Sequence, residues 1–515
     1  MRLGPTMRRE DGSHVTFPPE TARRLIADAG DERHGLRKAL TAVDLIALGI
    51  GAIVGAGIFA VLGSATAGGS ELPPAGPGVT VSILLTAVAC GFCALCYAEF
   101  ASLVPVAGSA YTYSYATLGE LAAWIIGWDL ILEYAVGNIA VAISWAAYFR
   151  QLMLGFHVEI PAWMATDYRS TLLAAKAAAA SGVSSLSPEA SVAYQAHLHH
   201  PVVLGIPLIF NVLAVAITSM ITWLLIRGVK ESARFNNVIV VLKVLAILFF
   251  IVVGAVYVKP ANWHPFFPGG LHGVWTGASL IFFAYIGFDA ISTAAEECKN
   301  PGRDMPRGIL GSLLICTILY VGAALVLTGM IPFAQLTGVA DPLAAALHFV
   351  EQDWAAGILA FGAVIAMTAV LLVFQLGQPR ILMAMSRDGL LGSWFSKIHS
   401  RYRTPHITTL LTGVFVAAFA AVANIDEIVQ LTNIGTLFAF VLVCIGILIL
   451  RVREPNRPRK FRVPLAPWTP LLGIASCIIL MAGLPRLTWI RFILWLVGGL
   501  AIYFLYGMRR SRLKL

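Results

Sequence analysis

Charge is what this sequence has least of: Asp, Glu, Lys and Arg make up 12% of its 515 residues against 58% hydrophobic, and the mean hydropathy is +0.80. A water-soluble fold could not hide that much apolar surface, so the bilayer must be the solvent. Polar stretches of domain length are missing as well, which leaves no place for a second, soluble domain. Cysteine is sparse. The seven, at positions 90, 93, 96, 298, 316, 444 and 477, lie in or beside apolar runs, which excludes a disulfide framework. Cys90, Cys93 and Cys96 spell CxxCxxC, but on an apolar helix they read as a stripe of small residues rather than a cluster or metal site. The first 40 residues lack the apolar core of a secretory signal. They are expected to form a cytoplasmic tail carrying Arg8, Arg9, Arg23, Arg24, Arg37 and Lys38, with an amphipathic stretch leading into the membrane. No nucleotide-binding loop is present, so ATP drive is not expected. No nucleophile and base, and no metal cluster, stand at catalytic spacing on facing segments, so no enzyme, metal or resident cofactor is expected.

What is there is a long series of apolar runs, each near the roughly 20 residues that cross about 30 Å of hydrocarbon. They fall near 42–66, 78–101, 121–149, 203–226, 236–258, 275–296, 308–331, 355–384, 406–423, 429–450, 466–484 and 490–508. The expected class is therefore an all-α integral membrane protein with about twelve transmembrane helices. With the N-terminus inside, 29 of the 36 Lys and Arg residues fall in cytoplasmic segments. The net charge of +9 is thus a topology signal and not a nucleic-acid footprint. Both termini, including the tail at 509–515, are expected in the cytoplasm, and the alanine-rich composition suits a bacterial inner membrane. The segment 156–201 reads as a long external connection whose Leu172–Ala180 stretch forms a short surface helix. His197, His199 and His200 within it lack a cysteine or carboxylate to complete a metal site and read as a hydrated loop.

Two runs are interrupted. GIGAIVGAGIF (Gly49 to Phe59) opens the membrane domain, and FFAYIGFDAIS (Phe282 to Ser292) follows five spans later. Paired interruptions at matching positions point to an inverted-repeat transporter. That divides the chain into five spans at 41–258, an inverted five at 275–450, and two additional helices at 466–508. An unwound backbone is tolerated at membrane depth only where protein or a cavity satisfies it. Gly55, Ala56 and Gly57 are small enough for a ligand to approach the main chain. Free amides at the start of the following half-helix suit a carboxylate, and free carbonyls on the other side suit an ammonium group. Together these describe an α-amino acid headgroup. The alternative is a close-packing face of small residues.

Four ionisable residues lie inside spans: Asp129, Glu133, Lys243 and Asp289. Asp129 and Glu133 share one face of span 3. Glu133 is the deeper, facing either a central cavity or a structural partner such as the Tyr134 hydroxyl. Asp289 fits a gate or helix-end group. Lys243, with apolar neighbours on both sides, either couples proton flow to transport or snorkels to the nearby interface.

DLIALGIGAIVGAGIF (Asp44 to Phe59), CYAEFASLVPVAGSAYTYSYATLGE (Cys96 to Glu120), WIIGWDLILEYAVG (Trp124 to Gly137), RGVKESARFNNVIVVLK (Arg227 to Lys243), FFAYIGFDAISTAAEECKNPGRDMPRGI (Phe282 to Ile309) and GQPRILMAMSRDGLL (Gly377 to Leu391) carry a resemblance. The chain resembles the cationic amino acid transporter family of the amino acid, polyamine and organocation superfamily. The resemblance implies a leucine-transporter-like five-plus-five inverted repeat followed by two extra helices. It implies that amides near Ala56 and Gly57 hold the substrate carboxylate, while carbonyls of Ile53, Phe283, Ala284 and Ile286 hold its amino group. Glu133 then matches an acid near the side-chain subsite. Lys243 matches a lysine whose ammonium stands in for a sodium ion, with Thr368 as a neighbour. Ala56 replaces the hydroxyl residue of many relatives.

The expected function is a secondary active amino acid transporter, with a proton as coupling ion and a cationic or broad neutral amino acid as substrate. An exchanger, a polyamine carrier and a non-translocating amino acid sensor are the alternatives. The lipid bilayer is the expected partner, a small accessory membrane subunit stays open, and nucleic acid is not expected.

Overall fold

A computed structural model describes residues 6–8, 14–16, 40–69, 72–103, 111, 114, 118–183, 188–203, 206–228, 233–339, 341–402, 404–456 and 458–511. The amphipathic stretch expected ahead of the first span lies outside the described residues.

The described chain is a helical bundle with two very short antiparallel pairs, Thr6–Arg8 with His14–Thr16 and Val202–Val203 with Ile206–Pro207. The first span is broken: α1 (Ala42–Ile53) and α2 (Gly57–Ala67) meet at 44°. There follow α3 (Gly76–Leu103) and α4 (Glu120–Gly155), then α5 (Tyr168–Ser181) and α6 (Pro188–Leu198). Next come α7 (Val212–Arg227), α8 (Ala233–Ala255), α9 (Gly270–Ser292), α10 (Pro301–Met330) and the short α11 (Pro342–Phe349). The series ends with α12 (Asp353–Arg387), α13 (His406–Val422), α14 (Ile425–Arg453), α15 (Trp468–Ala482) and α16 (Arg486–Arg510).

Among the described residues, eight helices are long and apolar enough to cross a membrane, nine when the bent pair counts as one. α7, α13 and α15 are apolar but shorter. Each of the twelve expected runs overlaps one of these elements, the first run two, with changed ends. The run expected to begin at 203 becomes helical only at Val212, because Asn211 caps it, its side chain accepting from the Ala214 amide at 3.0 Å. The connection at 156–201 is more ordered than a loop. Its alanine-rich stretch lies within α5, started by Asp167, whose carboxylate accepts from the Ser170 amide at 2.8 Å, and α6 follows with Pro188 as its first residue. His199 and His200 turn their ring nitrogens to the carbonyls of Gln195 and Ala196.

α7, α12, α14 and α16 end in Arg227, Arg387, Arg451 with Arg453, and Arg509 with Arg510, which defines a basic end of the bundle. There the start of the first span meets the end of α9, the Lys299 amide donating to Leu40 O at 3.0 Å. Helices approach closely through small residues: a Cβ at Gly308 would stand 2.6 Å from that of Leu45, so α10 lies directly on α1. Polar pins join helices far apart in sequence. Asn138 on α4 donates to Gln375 on α12 at 3.3 Å, and Gln375 donates to Thr222 on α7 at 2.5 Å. All seven cysteines are free and buried, and the stripe on α3 faces α14 and α15, with Cys93 Sγ 3.4 Å from Cys477 Sγ.

The strongest pin is at the basic end. Glu99, fully buried on α3, accepts from Arg451 at 2.6 Å, from Arg459 at 3.1 Å and from the Val463 amide at 2.7 Å. Glu99→Ala should lower stability by about 3 kcal/mol or more, because two guanidinium groups lose a buried partner. Thermal unfolding in detergent, followed by tryptophan fluorescence, measures this; an unchanged midpoint would show that the clasp carries no stability.

Candidate functional site

The two interruptions meet in the middle of the bundle. α1 leaves helical geometry at Val54, whose ψ is 103°, and the chain turns helical again at Gly57. α9 tightens to a 3₁₀ turn over Phe282–Tyr285, is extended at Ile286 (ψ 137°) and turns through Gly287 at φ +111°. That left-handed conformation favours glycine, and a Cβ there would also stand 2.8 Å from Ala52 O. Gly57 packs on the backbone of Ala284, so a side chain at either place would push the two breaks apart.

Breaking α1 exposes its last carbonyls at the negative end of the helix dipole. Two side chains supply the missing donors. Lys243 on α8, 1% exposed, donates from Nζ to Gly51 O at 2.7 Å and to Val54 O at 3.1 Å. Its head therefore does not reach for the interface. Tyr320 on α10 donates to Ile53 O at 3.1 Å. Ile53 O keeps a second lone pair, the capacity that an ammonium group would need. α2 offers first-turn amides around Ala56 and Gly57 that have no acceptor within the helix.

Ala52, Ile53, Gly55, Ala56, Gly57, Val141, Phe283, Ile286, Val370 and Phe374 line a small cavity at the breaks. Its volume is about 10 Å³, room for about one water-sized sphere, so the breaks are closed on one another here. Of the expected site residues, Ile53, Gly55, Ala56, Gly57, Phe283 and Ile286 come together on this wall. Ala284 does not line the cavity but seats Gly57. Ala52 of α1 adjoins the six, and the remaining walls are side chains of Val141 on α4 and of Val370 and Phe374 on α12. They were not foreseen, because a valine or phenylalanine in an apolar run carries no mark of the face it occupies.

Glu133 is not on the cavity wall. It sits on a π-helical turn of α4, Leu132–Val136, buried, near Asp289 just beyond the α9 break and Thr436 of α14, and neither its oxygens nor those of Asp289 have a hydrogen-bond partner among the described residues. Thr368 is not beside Lys243 in the hydrogen-bond network: its hydroxyl accepts from Trp145 Nε1 at 2.9 Å and donates to Val364 O at 2.7 Å. The bond to a ring on α4 fixes it on the α12–α4 seam, while both bonds of Lys243 go to α1. Among the described residues no group of histidine, cysteine and carboxylate side chains is arranged to hold a metal ion.

Residues 40–502 match the family described as amino acid permease. The chain is similar to the branched-chain amino acid permease BcaP of Bacillus subtilis, 46% identical over 97% of this chain and 99% of that one. It is similar to the methylthioribose transporter of the same organism, 44% identical over 94% and 97% of the two chains. It is also similar to the vacuolar cationic amino acid transporter 4 of Arabidopsis thaliana, 35% identical over 83% of this chain and 65% of that one.

Two substitutions test the geometry of the breaks. Gly287→Ala should cost about 1–2 kcal/mol of stability for its left-handed backbone, read from the unfolding midpoint; a variant that melts like wild type would show that the turn tolerates a side chain. Tyr320→Phe should lower stability by about 1 kcal/mol through the lost bond to Ile53 O, read from the unfolding midpoint, and no change would mean that the carbonyl finds another donor.

Proposed function

The chain belongs to the amino acid permease family, a family of transporters and not of enzymes, and on that premise we propose that it is a proton-coupled secondary transporter of neutral amino acids with branched apolar side chains. The observation that carries this reading is the cavity wall. Main-chain groups of both breaks converge on one side, and Val141, Phe283, Ile286, Val370 and Phe374 supply the rest. The main chain suits the ammonium and carboxylate common to all α-amino acids. Aliphatic and aromatic walls suit an apolar side chain, and a cationic one would leave its charge unpaired there. The branched-chain permease of Bacillus subtilis, by its name, points the same way.

In this reading the twelve helical segments form two inverted sets of five spans plus two, in a bacterial plasma membrane with both termini cytoplasmic. The basic end is then the cytoplasmic face. Substrate enters between the breaks, the outer and inner halves of the first and sixth spans close in turn, and they rock against α4 and α12. Lys243 couples this to the proton. While charged, its ammonium caps the end of α1 through Gly51 O and Val54 O; on losing the proton it releases part of that hold and α1 can shift. Glu133 and Asp289 hold a proton between them at the α9 break.

The methylthioribose transporter, at nearly the same identity, supports a second reading in which the cargo is a thioether sugar. Purified protein in liposomes separates the two. Labelled leucine, isoleucine and valine should be taken up under an inward proton gradient, and arginine and methylthioribose should not compete. Lys243→Met should retain counterflow and lose at least about 10-fold of the gradient-driven uptake. Competition by methylthioribose alone would overturn the amino acid reading, and binding without any translocation would make the protein a sensor.

A further inference from the structure

Besides Glu133 and Asp289, the membrane interior holds a third carboxyl group to which no role attaches. Asp129 lies one helical turn from Glu133 on α4, about 6 Å along the axis toward the Glu120 end. It is 1% exposed, and neither of its oxygens has a hydrogen-bond partner among the described residues. A lone buried carboxylate of this kind is costly enough that it persists in the neutral form or serves a changing charge.

Its surroundings join it to the pair above. Gly435 on α14 lets the two helices touch: a Cβ there would stand 3.2 Å from Asp129 Oδ1 and 2.8 Å from Leu132. The next residue, Thr436, puts its buried hydroxyl beside Glu133. The Tyr97 hydroxyl of α3, also buried and without a partner among the described residues, lies near Glu133 and Asp289. The π-turn at Leu132–Val136 starts between the two acids of α4 and carries Glu133 itself, so the helix departs from its regular ladder just past Asp129. On the other faces packed on this part of α4, Met385 of α12 and Tyr111 lie against Gly127, Tyr111 donates to the Asp388 carboxylate at 2.6 Å, and Trp495 of α16 stacks on Trp128 at 4.7 Å.

We propose that Asp129 is a proton-relay residue, linking the Glu133–Asp289 pair at the α9 break to the basic end of the bundle. The proposal rests on the proton-coupled reading above. In the step, protonated Glu133 gives its proton, by way of a hydroxyl or water, to the Asp129 carboxylate. Glu133 becomes the carboxylate and Asp129 the acid, so total charge is conserved and the negative charge moves toward the α9 break. Release of that proton at the basic end resets Asp129.

Liposomes loaded with the pH-sensitive dye pyranine test this with wild type, Asp129→Asn and Asp129→Glu. Asp129→Asn should keep leucine counterflow within about 2-fold of wild type while leucine-driven acidification and gradient-driven accumulation fall at least about 10-fold, and Asp129→Glu should restore both. Acidification by Asp129→Asn at the wild-type rate would overturn the relay. So would an equal loss of counterflow and coupled uptake, which marks a packing role on α4. Wild-type protein that moves leucine without acidification defeats the proton-coupled reading itself, and the relay with it.

Discussion

A broken helix in the bilayer leaves main-chain carbonyls and amides that water cannot satisfy, at several kcal/mol for each group. The rest of this structure answers to that constraint. The end of α1 is held by the Lys243 ammonium on Gly51 O and Val54 O and by the Tyr320 hydroxyl on Ile53 O. Because these donors come from α8 and α10, the carbonyls at the break are satisfied by two other parts of the chain.

The second constraint is close approach. Gly57 against Ala284, Gly287 against Ala52 O, and Gly308 against Leu45 let backbones come within contact of one another without side chains between. In lipid, where apolar surface alone does not drive helices together, such contacts and a few polar pins set the arrangement. Glu99 with Arg451 and Arg459 is one pin, and the Asn138–Gln375–Thr222 chain is another. The first fixes α3 to the end of α14, and the second fixes α4 to α7 and α12. Between these two anchored groups lie the breaks, closed on a cavity of about 10 Å³.

Membrane acids in this protein have few basic partners. Glu99, near the basic end, is fully ion-paired, whereas Asp129, Glu133 and Asp289 make no ion pair among the described residues. The contrast follows from depth. A carboxylate near an end can recruit arginines from a polar connection, and those at mid-bundle make no ion pair among the described residues. That difference separates an ion-paired acid from acids without a basic partner among the described residues.

By itself the sequence determined the class, the helical runs, the two interruptions and the positions of the intramembrane charges, because hydrophobic length, glycine and ionisable residues each have a strong local signature in lipid. Six of the eight substrate-site residues read from it, Ile53, Gly55, Ala56, Gly57, Phe283 and Ile286, line one cavity for that reason: they belong to the interruptions themselves. Only tertiary structure decided the partners. Thr368 bonds Trp145 and not Lys243, Glu133 lies near Asp289 off the cavity wall, and Val141, Val370 and Phe374 complete that wall. Those facts depend on the rotation and depth of helices a hundred or more residues apart, and an apolar run in a bilayer carries no local signal for either, since lipid and neighbouring helices are equally good solvents for its side chains.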